Sequence, residues 1–233
     1  MKVTLTRITG DPILAIEEAA SNCYDSEPSN EGKILAHCVK SGHTSVTEFC
    51  NFTFHIEGVS RALLAQLTRH RHAGYAVRSQ RYCNEDGFGY VIPHTIKDKP
   101  AAEVEYKKTI NRIKEAYEYL QEMGVPNEDA RFILPNACET VIEVTMNLRA
   151  LMNFMNERLC ACAQWEIRAL AWEMRRLVVE QVPLFAKYLV PKCEKYGEGL
   201  GFCIESKKRT CGRHPRLEEV MEVYHNNTDM CNS

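Results

Sequence analysis

Cys50-Asn-Phe52-Thr-Phe54-His-Ile56-Glu57, then Gly58 and Val59, then Ser60-Arg61-Ala-Leu-Leu-Ala-Gln66-Leu-Thr-Arg69-His70-Arg71-His72, changes its hydrophobic period midway. The first part alternates strictly, with Cys50, Phe52, Phe54 and Ile56 on one face, and predicts a half-buried strand. The second part is rich in helix formers behind a serine suited to an N-cap, and predicts a helix from Ser60 to about His72. Gln66 and Arg69, three apart, would share a face of that helix, and Gly74 would end it and let the chain turn.

Outward from this stretch, strands and helices alternate irregularly. Met1-Lys-Val-Thr-Leu-Thr-Arg7 alternates and predicts a strand; it has no long apolar core of the kind a signal peptide needs. Helices are expected from Pro12 to Cys23 and from Glu31 to Lys40, separated by a polar turn at 25–30 and closed by Gly42. Pro100 to Met123 is a long amphipathic helix, with Tyr106, Ile110, Ile113, Tyr117 and Leu120 on its apolar face. A short helix capped by Asn127 and stopped by Pro135 follows. Thr140 to Met146 alternates and should pair with the 50–57 strand. Asn147 then caps a helix whose apolar face is Leu148, Leu151, Met152, Met155, Leu159 and Cys162, with Arg158 at the margin of that face. Gln164 to about Tyr188 reads as a last long helix, broken near Pro183.

The fold class expected is therefore α/β of the α+β type, with an antiparallel or mixed central sheet flanked by long helices. A chain of 233 residues that is 45% hydrophobic suits one globular domain. The expected partition is a catalytic domain over 1–190 and a Cys- and Gly-containing tail over 191–233. No run of eighteen apolar residues occurs, so a soluble cytoplasmic protein without a membrane partner is expected. Eleven cysteines, an odd number scattered through helices and strands, fit buried thiols in a reducing compartment better than a disulfide framework. In the tail, Cys193, Cys203, Cys211 and His214 could in principle make a tetrahedral zinc site. Their spacing lacks a close Cys pair, so unliganded thiols, and no metal, are expected. A short helix is expected at 217–224.

Charge is distributed less evenly. Between Arg61 and Tyr82 stand Arg61, Arg69, Arg71, Arg78 and Arg81 with His70 and His72, and no acid appears until Glu85, although the chain carries a net charge of −2. Planar guanidinium forks and the Ser79 hydroxyl suit phosphate oxygens, and donors on either side of a turn can hold two anions at once. A solvated basic surface fits the same composition. So does a single-strand nucleic-acid groove using Tyr75 and Tyr82, although such a binder is normally basic overall. Composition leaves these readings nearly even.

The run Arg69-His70-Arg71, seven residues, Ser79, then Gln80-Arg81-Tyr82 resembles the signature of flavin-dependent thymidylate synthases. Two further blocks are similar to that family: Glu128-Asp-Ala-Arg131-Phe-Ile-Leu-Pro135, and Asn147-Leu-Arg149-Ala-Leu-Met-Asn153-Phe-Met-Asn-Glu-Arg158 followed by Ala163-Gln-Trp-Glu-Ile-Arg168. The resemblance covers about residues 42 to 190 in order. It implies reductive methylation of dUMP to dTMP, with methylenetetrahydrofolate as carbon donor, NADPH or NADH as reductant and FAD as carrier. It also implies a homotetramer with shared active sites and no nucleic-acid partner.

The same resemblance assigns roles to residues. His43, Ser45, Arg69, His70, Arg71, Asn147, Arg149 and Asn153 would contact the flavin. Gln66, Arg69, Arg78, Ser79, Gln80, Arg81, Arg131 and Arg158 would hold dUMP, with Arg158 at the uracil ring as the catalytic group and no enzyme nucleophile. Taken alone, His43 would read as structural, Arg131 as half of a salt bridge, and Arg149 and Asn153 as an ordinary polar helix face. The sequence departs from the common pattern at Gly74, Ala76 and Val77, where many members carry serine, asparagine and glutamate. Contacts from those side chains are not available here. The chain has neither a Gly-rich dinucleotide fingerprint nor a P-loop, so a flavin would be held by side chains.

Overall fold

In the computed structural model, which describes residues 1–24, 26–194 and 201–222, the alternating stretch is strand β2 (Asn51–Ser60), and Phe52, Phe54 and Ile56 are fully buried along one face. It pairs with β1 (Lys2–Ile8) on one side and β4 (Glu139–Asn147) on the other. β3 (Ala73–Val77) lies outside β4, giving one antiparallel sheet in the order β1-β2-β4-β3. The expected pairing of the 50–57 and 140–146 strands is therefore observed.

By contact the chain separates into two compact units, and the boundary cuts β1, β2 and β4. The first comprises Met1–Thr4 and Phe54–Val144. It holds α3 (Arg61–Leu67), the short α4 (His94–Lys97), the long α5 (Pro100–Glu122) and the short α6 (Asn127–Ala130). Phe88, Ile110 and Cys138 form an apolar cluster here, with Tyr106 and Ile113 of α5 packed against it. The second unit comprises Leu5–Thr53 and Thr145–Ser233. It holds α1 (Pro12–Tyr24), α2 (Lys33–Lys40), α7 (Leu148–Arg158), α8 (Trp165–Gln181) and the described part of the tail. α7 packs against α8 and against the 3-10 turn Thr44–Phe49. Phe52 meets Phe185 edge to face, with ring centroids 6.1 Å apart.

Local chemistry explains the element ends. Gln164 caps α8 by accepting from the backbone N–H of Glu166 and Ile167, and α8 stops at Gln181 ahead of Pro183. α2 begins at Gly32, which supplies no side-chain cap; instead the buried Glu17 carboxylate of α1 accepts from Ile34 N at 3.0 Å and from Ser29 N at 2.9 Å. Gly32 has φ of +75°, and a Cβ there would lie 2.3 Å from Leu184 Cδ2, so only glycine serves.

Four local expectations need correction. α3 ends at Leu67, not His72, and Gly74 lies inside β3 instead of terminating the helix. The Tyr75 hydroxyl lies within hydrogen-bond distance of the Leu67 and His70 carbonyls (2.8 and 2.9 Å), which satisfies the helix end early and frees 73–77 to pair as an edge strand. Asn127 is not a cap: α6 starts after Pro126, and the Asn127 side chain accepts from Gln121 Nε2 at 2.7 Å. Cys162 is not on the apolar face of α7, because that helix ends at Arg158. In the tail, residues 217–222 are helical, and positions 223 and 224 of the expected helix lie outside the described residues. Among the described residues, no helix is long and apolar enough to cross a membrane.

Candidate functional site

In the first unit the basic stretch is built on α3 and β3. Ser60 Oγ accepts from Leu63 N at 3.0 Å, which starts α3 and places Arg61 in its first turn. Arg61 Nη2 donates to the Arg78 carbonyl at 2.7 Å, and its Nε is buried without a partner. Burial lowers the Arg61 pKa, and the like charges of Arg78 and Arg131 add to this against Cys138 and Glu85. A guanidinium in this setting favours an arriving anion. Nothing in the run of residues singles Arg61 out from its neighbours, because only the fold shows which arginine there is half-buried.

Arg78 donates from Nε to the buried Glu85 carboxylate at 3.1 Å and from Nη2 to the Asn84 carbonyl at 3.1 Å. It is thus held as a local brace. Ser79 Oγ accepts from Arg81 N at 3.2 Å and shapes the turn. Gln80 Nε2 sits 3.6 Å from Cys138 Sγ. Burial pushes the Cys138 thiol up to about 11, so it stays protonated at neutral pH and is a poor nucleophile.

Arg81 and Arg131 come together at one residue. Arg81 Nε donates to the Glu128 carboxylate at 2.6 Å, and Arg131 Nε donates to the Glu128 carbonyl at 3.0 Å. The Arg81 guanidinium also lies 5.2 Å from the Tyr82 ring centroid. The salt bridge that sequence reasoning offered for Arg131 falls instead to Arg81. Arg69 and Arg71 follow the end of α3 and are exposed, and among the described residues neither has an ion-pair partner. Gln66 is half-buried on α3, and His70 is half-buried just beyond it.

In the second unit the candidate residues gather on α7 and the turn before β2. Asn147 caps α7, its Oδ1 accepting from Ala150 N at 2.9 Å, so toward a ligand this side chain offers its amide N–H. Arg149 Nη1 donates to the Glu48 carboxylate at 2.5 Å, which ties α7 to the 3-10 turn Thr44–Phe49. His43 and Ser45 are exposed at the start of that turn, and Asn153 is exposed on α7. Arg158 is half-buried as the last residue of α7, where a cation also complements the helix dipole.

A flavin with its phosphates needs cationic donors that are not already neutralised. Arg69 and Arg71 are such donors, and the amide N–H groups of Asn147 and Asn153 are suited to ring heteroatoms and carbonyls. The residues present therefore fit such a group chemically.

Residues 4–184 match the family model described as thymidylate synthase complementing protein. A protein of Geobacter sulfurreducens named flavin-dependent thymidylate synthase is 43% identical, over 94% of this chain and 97% of its own length. Proteins of the same name from Nitratidesulfovibrio vulgaris and Pyrococcus abyssi are 38% and 39% identical, again over 94% of this chain and over 97% and 96% of their own lengths.

Proposed function

Because the chain belongs to the thymidylate synthase complementing protein family, we propose that it is a flavin-dependent enzyme that reductively methylates dUMP to dTMP. Methylenetetrahydrofolate would be the carbon donor and NADPH or NADH the reductant. The observation that carries the reading is the pair Arg69 and Arg71, exposed and, among the described residues, lacking carboxylate partners, in a stretch where Arg61, Arg78 and Arg81 are each held by a hydrogen bond. In a chain of net charge −2, two unneutralised guanidinium groups two residues apart are best explained by an anionic guest.

Each side chain then has a task. Arg69, His70 and Arg71, with His43, Ser45, Arg149 and the amides of Asn147 and Asn153, would hold FAD. Gln66, Arg78, Ser79, Gln80, Arg81 and Arg131 would hold dUMP, with arginines on its phosphate. Glu128 keeps Arg81 and Arg131 oriented before substrate arrives, so less side-chain entropy is lost on binding. Arg158 would face the uracil ring and place a fixed positive charge near N3, C4 and O4. That charge draws electron density toward O4 and makes C5 a better nucleophile without proton transfer. When bound, the flavin supplies the one-carbon and hydride chemistry that side chains cannot. No cysteine needs to attack C6, which accords with the raised pKa of Cys138.

A homotetramer with shared sites belongs to the same proposal. Tyr82 and Phe132 are 76% and 82% exposed next to Arg81 and Arg131, and large apolar rings so placed are commonly covered by a partner. The purified protein should show a flavin spectrum that bleaches with reduced pyridine nucleotide, and faster when dUMP is present. A folded protein that binds no flavin would overturn the reading.

A further inference from the structure

A second place with its own chemistry lies in the second unit, in the turn that follows Arg158 and in the tail. α7 ends at Arg158, and the next turn carries Cys160 and Cys162. Cys193 lies in the 3-10 turn Lys192–Glu194, which packs against α7, and the tail beyond bridges back on itself between Cys203 and Arg216. As a result Cys160, Cys162, Cys193, Cys203 and Cys211 all line one cavity of about 330 Å³. These thiols come from four stretches of sequence. None of the described cysteines is in a disulfide.

Within this region two groups of ligand atoms are already close. Cys160, Cys162 and Glu205 have donor atoms within 4.8 Å of one another, and so do Cys193, Glu194 and His214. For a tetrahedral ion with sulfur at 2.3 Å, neighbouring sulfurs stand about 3.8 Å apart, so the spacing within each group is near that of ligands sharing one ion. Each half is one ligand short of four. The carboxylates are the weaker candidates, because Glu205 is paired with Lys192 at 3.1 Å and Glu194 with Arg213 at 2.9 Å. What remains is Cys160 and Cys162 from the first group and Cys193 from the second, which line the same cavity, and the His214 imidazole, which lies within 4.8 Å of the Cys193 thiol. Cys₃His is a closed structural set for zinc, and soft thiolates select such an ion over magnesium or calcium. Glu194 lies 3.4 Å from His214 Nε2 and can hold that ring in place.

We propose that the cavity thiols Cys160, Cys162 and Cys193, together with His214 next to Cys193, bind one thiophilic divalent cation of the zinc class. The ion would fasten the tail to the turn that follows Arg158 and thereby fix the end of α7. It is a structural site, with all four positions filled by protein and none left for substrate.

The test uses the full-length chain, purified under reducing conditions and titrated with Co²⁺ and then Zn²⁺. The expected result is a thiolate-to-cobalt charge-transfer band with tetrahedral ligand-field bands, saturating at about one equivalent and erased by Zn²⁺. Zn²⁺ should also raise the melting temperature by several degrees, since an ion that binds only the folded chain stabilises it. Cys160→Ser, Cys193→Ser and His214→Ala, each checked for native circular dichroism, should bind Co²⁺ at least ~10-fold more weakly. Cys23→Ser, at an exposed cysteine elsewhere, should behave as wild type. Absence of a tetrahedral cobalt spectrum overturns the site. So does a spectrum that survives both Cys193→Ser and His214→Ala. None of these readouts depends on flavin or turnover, so failure here leaves the proposed reaction standing, and the converse also holds.

Discussion

The arginine-rich turn of the first unit and the cysteine-lined cavity of the second are built in opposite ways. In the turn the chemically active groups are neighbours in sequence, mostly exposed, and mounted on a seven-residue helix and a five-residue strand. In the cavity they come from distant segments and converge only through packing against the end of α7. Exposed guanidinium groups contribute little to holding a fold together, whereas a set of thiols gathered across loops adds most when something joins them. Substitutions in the turn should therefore cost binding and leave stability alone, and those at the cavity should do the reverse.

Arg158, at the end of α7 and next in line to the cavity turn, is the sharpest place to break this contrast. Arg158→Ala should retain flavin absorbance and native circular dichroism yet lose about 100-fold or more in dTMP formation, the scale of one electrostatic donor lost at a reacting centre. Near-normal methylation would remove Arg158 from the mechanism, and a large fall in melting temperature with activity intact would assign it to the scaffold.

Arg69→Ala should weaken flavin or nucleotide binding about 10- to 100-fold, as expected for lost charge-assisted hydrogen bonds, while stability changes by less than about 0.5 kcal/mol. Isothermal titration alongside thermal melting separates the two effects. A strongly destabilised Arg69→Ala would show that the turn is itself structural.

Ser60→Ala removes the cap of α3 and should cost about 1 kcal/mol, a fall of about 2–4 °C in a chain of this size. Affinity should follow only modestly, through Arg61. The smallest expected effect concerns His55, whose pKa is raised chiefly by its hydrogen bond to Glu143 at 2.8 Å. A raised folded-state pKa stabilises the protein below the unfolded-state value, and that stabilisation is lost as pH rises through the folded-state value. Melting temperature measured from pH 5 to 8 should show a slight decline of this kind in wild type that His55→Gln lacks. Equal slopes in both proteins would mean that this half-buried pair contributes nothing measurable.

Much of the fold was legible because it rests on local signals. The alternation at 50–57, the heptad-like spacing in α5, the asparagine before α7 and the proline after α8 each act within a few residues, and the strands and helices they predict are present. Three of the errors share one cause. α3 ends early because the Tyr75 hydroxyl reaches back to its last carbonyls, and β3 forms around Gly74 because β4 offers it an edge. Asn127 serves Gln121 instead of a helix end. In each case a partner distant in sequence, or in another element, overrode a local preference. The candidate site divides in the same way: the motif residues could be listed from their spacing, but not that Arg78 is a brace, that Arg81 and Arg131 share Glu128, or that Arg61 is half-buried behind them.

The sequence by itself determined which side chains are available, a contiguous block of cations and a set of thiols, together with the strand and helix periods that carry them. Only the tertiary structure decided which cations remain without a carboxylate and which thiols face one another. Both depend on distances between groups far apart along the chain, and those are set by how apolar faces pack, a global outcome that no single window of residues contains.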